Sequence, residues 1–299
     1  MHRGKTLLLY LFLTLAAIII GGTMGFMIFS GWDLPDVKML EEYRPNITSR
    51  LYSDSNRLLA EFFLENRTPV ALDDVPEMMI KALIATEDTR FYQHFGIDLR
   101  GVIRAMFRNI RARKVLEGGS TLTQQLAKVL FLTPERSYAR KLKEMALALR
   151  IEQRYTKREI LSLYLNQIYF GSGAYGIEAA AQIYYGKPAK DLNLTECAML
   201  AGLPRSPRHY SPFKSPASAR IRRAYVLNRM VAMGVISTIE AEEAKNEPLP
   251  LQAASKTVGR APYFVEYVRQ QVEERLGSSI LYSGGLNIYT SINDELQTY

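Results

Sequence analysis

From Leu7 to Phe29 the chain runs for 23 consecutive residues without a charge. A helix rising about 1.5 Å per residue covers about 34 Å over that length, enough to cross a bilayer core of about 30 Å. Arg3 and Lys5 precede it, so the positive-inside rule keeps residues 1–6 in the cytoplasm. Trp32 follows, suited to the headgroup layer. The stretch is longer than the apolar part of a cleaved signal peptide (about 7–15 residues) and has no fitting small-residue cleavage site. An uncleaved single-span anchor at 7–29 is expected, with everything after it outside the cytoplasm. Residues 30–74 are mixed, and short alternating runs at Ser49–Tyr52 and Leu58–Phe63 predict a few strands in a linker. From Val75 to about Lys245 the period is helical almost throughout, broken at Gly96, Gly118–Gly119, Pro134, Gly171–Gly176 and Pro204–Pro216. A mainly α domain over 75–247 follows. Residues 248–299 open on Pro248 and Pro250, then read as one helix at Tyr263–Leu276 and a strand-forming run at Leu286–Ile292.

Composition narrows the picture. With 299 residues, 47% of them apolar and 23% charged, the chain can bury a sizeable core and is not disordered. A single cysteine, Cys197, forbids an intrachain disulfide, and three scattered histidines do not make a zinc site. The net charge of +8 points to an anionic partner. That charge is local: residues 100–159 carry fifteen lysines and arginines against five acids, which is +10 and leaves the remainder near −2. Solvated helix faces would look the same. An outward topology and the lack of a recognisable module exclude a nucleic-acid partner.

Two motifs mislead. Gly171-Ser172-Gly173-Ala174-Tyr175-Gly176 spells a dinucleotide fingerprint, but helical patterns on both sides make it a helix–helix connection. Ser211-Pro212-Phe213-Lys214 matches the S-x-x-K of penicillin-interacting enzymes, yet it lies in a proline-rich loop, and Lys256-Thr257 is followed by Val258 rather than glycine. No acyl-serine chemistry, and so no transpeptidase activity, is expected of this chain.

Three segments carry candidate chemistry. Ile80, Leu83, Ile84 and Phe91 share one helical stripe, with Glu87 inside it. A carboxylate in an apolar stripe is tuned towards general acid or base work, although a glutamate that merely ties helices together fits equally well. Asp88 and His94 read as local, structural groups. Next, Gly118-Gly119-Ser120-Thr121 enters a helix whose Thr121 and Gln124 form a capping-box signature. Leu122, Leu126, Val129 and Leu130 are its expected buried face, and Thr121, Gln124, Gln125 and Lys128 the opposite one, suited to phosphate oxygens. Third, Arg136 and Arg140-Lys141 bring cations beside Glu144, on a helix turning Leu142, Met145, Ala146 and Leu149 inward. Ordinary surface ion pairing and a carboxylate holding a divalent cation against a pyrophosphate both fit that spacing.

Together these residues resemble the N-terminal part of a class A penicillin-binding protein: a membrane anchor followed by a peptidoglycan glycosyltransferase domain of lysozyme-like fold. The resemblance rests on Glu87-Asp88-x-x-Phe91-x-x-His94-x-Gly96-x-Asp98, Gly119-Ser120-Thr121-x-Thr123-Gln124-Gln125 and Arg140-Lys141-x-x-Glu144. Two further motifs follow in order, Lys157-x-x-Ile160-x-x-x-Tyr164-x-Asn166 and Arg223-x-x-Val226-Leu227-x-x-Met230. Residues 261–297 resemble the lead-in to that family's transpeptidase domain, which would make the chain a fragment or a one-domain variant. The resemblance implies polymerisation of lipid II, with Glu87 as the base. Lys128, Arg136, Arg140 and Lys141 would gather around the departing pyrophosphate. Glu144 would bind Mg²⁺ or Mn²⁺ or else orient Lys141, with no organic cofactor. Ser120, Thr121, Gln124 and Gln125 would contact sugar or phosphate, and Asn166 and Arg223 would be architectural. Residues 100–119 would form a basic flap over the acceptor groove. The implied location is the bacterial cytoplasmic membrane, with the catalytic domain on its outer side. The implied partners are lipid II, the growing glycan, the membrane and other cell-wall synthesis proteins. The alternatives are a membrane-anchored, non-catalytic wall scaffold and a peptidoglycan-cleaving lysozyme-like enzyme.

Overall fold

The computed structural model describes residues 14, 34–40, 47–63, 65–112, 118–133, 135, 137–250, 261–293 and 296. The expected membrane anchor at 7–29 lies outside these residues except for Thr14, and among the described residues no helix is long and apolar enough to cross a membrane.

Among the described residues, nine helices occupy the region read as helical: α1 Glu77–Glu87, α2 Leu99–Ala112, α3 Leu122–Phe131, α4 Tyr138–Arg154, α5 Lys157–Gln167, α6 Ile177–Tyr185, α7 Leu194–Gly202, α8 Pro216–Ala232 and α9 Thr238–Asn246. Their starts are set by local chemistry. Thr121, Thr156, Asn193 and Ser237 each close a reciprocal capping box with Gln124, Glu159, Glu196 and Glu240. The buried α1 packs on α7 and α8, while α3 sits between α4 and α5. One continuous core runs through these elements from Met79 and Leu83 to Leu126, Leu147, Tyr164, Leu200 and Val226.

A second, smaller unit joins segments far apart in sequence. Strands β1 (Ser49–Tyr52) and β2 (Leu58–Phe62) form an antiparallel pair, and β1 also pairs in parallel with β6 (Asn287–Tyr289), giving the order β2-β1-β6. Helices α10 (Pro262–Leu276) and α11 (Ser278–Ser283) cover this sheet, burying Leu51, Leu59, Phe62 and Leu281 against Val265, Val268 and Val272. Residues 49–62 and 262–289, parts of the two stretches read as linkers, are therefore packed together.

Several local readings are corrected. The glycine-rich stretch connects α5 to α6, as expected, but does so as a β-hairpin. Strand β4 (Tyr169–Gly171) returns as β5 (Ala174–Tyr175), which also pairs with β3 (Asn66–Arg67). Gly171, Ser172 and Gly173 all take positive φ there, which a helix cannot accommodate. Phe91 does not continue the α1 stripe: Asp88 takes φ −156°, ψ 72°, the helix stops at Glu87, and Phe91 is buried from a single 3₁₀ turn. On α3, Val129 is exposed and Gln124 buried. On α4, Leu142 is exposed while Glu144, Leu147, Ala148 and Ile151 turn inward. Both helices are rotated because polar side chains are bonded inside the fold. Residues 99–112 of the expected flap form the regular helix α2.

The core also holds groups that resist ionisation. Burial, with the charge of Glu196 second, pushes the Cys197 thiol from 9.0 up to about 12, and burial raises the Tyr184 and Tyr185 phenols. An unfolded chain loses these protons first, so above pH 9 the folded state binds more protons and stability falls as pH rises towards 12. Urea midpoints measured at rising pH should be flat below 9.0 and decline beyond it, and Cys197→Ala should flatten the first part of that decline.

Candidate active site

The helix α1 ends on two adjacent carboxylates that point in different directions. Asp88 is buried, and both its oxygens lie 3.0 Å from His94 Nε2. Asp88 Oδ2 also accepts the backbone N–H of Leu122 at 3.0 Å, a negative charge placed on the N-terminus of α3. Glu87 faces a cleft instead, its side chain 12% exposed. Gln125 Nε2 donates to Glu87 Oε2 at 3.0 Å, and Arg222 Nη2 donates to Oε1 at 3.2 Å. Glu87 is thus a compensated carboxylate at a rim, not an unpaired one in an apolar stripe. Gln125 is oriented in turn by the Tyr164 hydroxyl, which donates to its Oε1 at 3.0 Å. Burial, reinforced by the charge of Glu87, raises the Tyr164 phenol well above its ordinary range, so it remains a donor.

The loop entering α3 forms one wall. Thr121 Oγ1 accepts from Gln124 N at 3.1 Å and donates to Gly96 O at 2.7 Å, and the Gln124 side chain returns to Thr121 N. Gln124 is held by the scaffold, whereas Ser120, Thr121 and Gln125 line the cleft. Ser120 Oγ accepts from Lys141 Nζ at 2.7 Å. Glu144, 3% exposed, is paired to Lys141 through one oxygen and to Arg140 Nη1 at 3.2 Å through the other. Both Glu144 oxygens are paired with cations, an arrangement that orients Lys141, and among the described residues no group of three or more His, Cys, Asp or Glu could hold a metal ion.

Two hollows meet at Glu87. One, of about 390 Å³, is lined by Gln125, Lys128, Arg140, Lys141 and Glu144. The other, of about 290 Å³, is lined by Asp98, Arg104, Arg108, Thr121, Tyr225 and Arg229. Glu87, Ser120 and Arg205 border both, so the carboxylate sits between two basic chambers.

The remaining predicted residues lie behind this surface. Phe91 is buried under Lys157, whose Nζ is 4.3 Å from the ring centroid and 2.7 Å from Glu152 Oε1, the oxygen that Thr123 Oγ1 also donates to. Asn166 clasps residue 70, accepting from Val70 N and donating to Val70 O at 2.9 Å each. Arg223 donates to the carbonyls of Lys245, Glu247 and Pro248 beyond α9. Arg136 lies outside the described residues. Sequence reasoning missed Arg222, Arg205 and Arg229. A signal for Arg222 exists: Ala219, Arg222, Arg223, Val226, Leu227 and Met230 form one buried stripe, and an arginine in such a stripe demands a partner.

Residues 55–231 match the model of the family described as Transglycosylase, and the chain belongs to that family. It is 46% identical over 276 residues to penicillin-binding protein 1A of Aquifex aeolicus, covering 92% of this chain and 38% of that protein. It is 44% identical over 265 residues to penicillin-binding protein 1A of Escherichia coli K12, covering 88% and 31%. Among solved structures, that of penicillin-binding protein 1A from Haemophilus influenzae aligns with a TM-score of 0.50 at 28% identity, over 85% of this chain and 28% of that one. The chain thus spans well under half the length of these relatives.

Removing the charge of Glu144 should loosen the wall of the cleft. Glu144→Gln is expected to lower stability by about 1–2 kcal/mol, a value discounted because Lys141 is partly exposed. Urea denaturation checks this, and an unchanged midpoint would show that the triad adds nothing to folding.

Proposed function

We propose that this chain is a peptidoglycan glycosyltransferase that polymerises lipid II into β-1,4 glycan strands, with Glu87 as the general base. The observation that carries this reading is one carboxylate placed between two cation-lined chambers. A glycosidase protonates a poor alkoxide leaving group and needs a carboxylic acid there. A pyrophosphate departs as a stable anion and needs cations. The cleft supplies that second arrangement, which favours a polymerase over a peptidoglycan-cleaving enzyme.

In this mechanism the acceptor GlcNAc 4-hydroxyl lies against Glu87, which takes its proton. The freed oxygen pair attacks C1 of the donor MurNAc from the face opposite the pyrophosphate. The new C1–O bond forms as the C1–O–pyrophosphate bond breaks, and the anomeric configuration inverts. Lys128, Arg140 and Lys141 receive the negative charge that leaves, and Arg136 is assigned to the same group. Glu144 keeps the Lys141 ammonium aimed at Ser120 and the chamber. Gln125, oriented by Tyr164, holds one oxygen of the base in place. Arg104, Arg108 and Arg229 serve the acceptor side.

The substrate is lipid-tailed, and α2 suits a bilayer surface. Leu99, Val102, Ile103, Met106, Phe107 and Ile110 follow a helical stripe and are all exposed, while Arg104 and Arg108 line the cleft. An amphipathic helix of this kind lies in the headgroup region with its apolar face towards the acyl chains. On this reading the cleft opens where the pyrophosphate of a membrane-held substrate emerges.

Two measurements test these assignments. Glu87→Gln should lose about 10²–10⁴-fold in glycan polymerisation from lipid II while keeping its circular dichroism. A folded variant that polymerises normally would remove Glu87 from its role. With the sole tryptophan replaced (Trp32→Phe), Phe107→Trp should be quenched by brominated acyl chains in vesicles, and unquenched emission would place α2 off the membrane.

A further inference from the structure

The buried arginine beside the base has a geometry that a mere filler would not need. Arg222 is 5% exposed and is held from three directions. Its Nε donates to the Gly202 carbonyl at 3.0 Å, at the end of α7. Its guanidinium lies 5.3 Å from the Tyr210 ring centroid and 4.9 Å from that of Tyr225. Its Nη2 is thereby aimed at Glu87 Oε1, 3.2 Å away. Gly202 makes room for the stem: a Cβ there would stand 2.9 Å from Arg222 Cγ. Desolvation acts against the arginine's charge, and the Glu87 carboxylate is the largest effect restoring it.

We propose that Arg222 is the positioning residue of the catalytic carboxylate, an inference that rests on the general-base reading of Glu87. Arg222 and the Gln125–Tyr164 pair grip different oxygens of Glu87. Two anchors on two oxygens fix the plane of the carboxylate, and with it the direction of the lone pairs left to receive the acceptor proton. Lysine cannot replace this arrangement. An ammonium carries the charge but has no planar fork that bonds Gly202 O and Glu87 at once while lying against two aromatic faces.

The test is a double-mutant cycle in lipid II polymerisation, with kcat and KM measured for the wild type, Arg222→Lys, Glu87→Gln and the double variant. Arg222→Lys should lower kcat by about 10²-fold, the loss typical of a misplaced reacting group, and leave KM nearly unchanged. In the Glu87→Gln background it should cost nothing further. Equal losses in both backgrounds, or a loss confined to KM, would overturn the proposal by showing that Arg222 acts on the substrate. Wild-type rates in Arg222→Lys beside an inactive Glu87→Gln would overturn it and leave the base intact. Full activity in Glu87→Gln would remove the base and the proposal together. Should Arg222→Lys fail to fold, Gly202→Ala displaces the stem with the charge retained, and the same selective fall in kcat is expected. An unchanged kcat in that folded variant would overturn the proposal.

Discussion

The structure turns on how two neighbouring carboxylates are separated at the end of α1. The backbone leaves the helical region at Asp88, so that side chain enters the protein while Glu87 stays at the rim. Asp88 binds His94 and the first free N–H of α3, and the negative charge there is stabilised by the helix N-terminus. With the packing of α3 against α4 and α5, this contact fixes Ser120 and Gln125 relative to Glu87. A carboxylate working as a base must be both accessible and fixed. The inward acid supplies the fixing and the outward one the access.

Behind the cleft, buried acids hold the cations in place. Glu144 draws Lys141 to Ser120, and Glu152 holds Lys157 over Phe91 beside the Thr123 hydroxyl. A lysine on a flexible stem loses considerable rotamer freedom when it is immobilised, and a paired, desolvated carboxylate opposes that loss. Arg104 and Arg108 of α2 line one chamber, and Lys128, Arg140 and Lys141 of α3 and α4 line the other.

The family membership and the physical reading meet at this division. A chemistry with an anionic leaving group needs cations on the donor side and one base between donor and acceptor. The same element that lines the cleft with Arg104 and Arg108 also carries an exposed apolar stripe, so α2 presents two chemically different faces.

Much of this was legible along the chain because it is local. The capping box at Thr121 and Gln124, the strands at 49–52 and 58–62, and the ion triad of Arg140, Lys141 and Glu144 all depend on residues a few places apart. What lies opposite a side chain does not. The sequence could not show that Gln125 rather than Gln124 meets Glu87, because both sit on one polar face and only the rotation of α3 against α4 and α5 separates them. Nor could it pair β1 with β6, since parallel strands from distant segments share no local signal. Arg222 is the clearest case. Its period places it inside, but its partner arrives from another helix, and only the packing of α1, α7 and α8 decides that the buried cation meets the exposed acid.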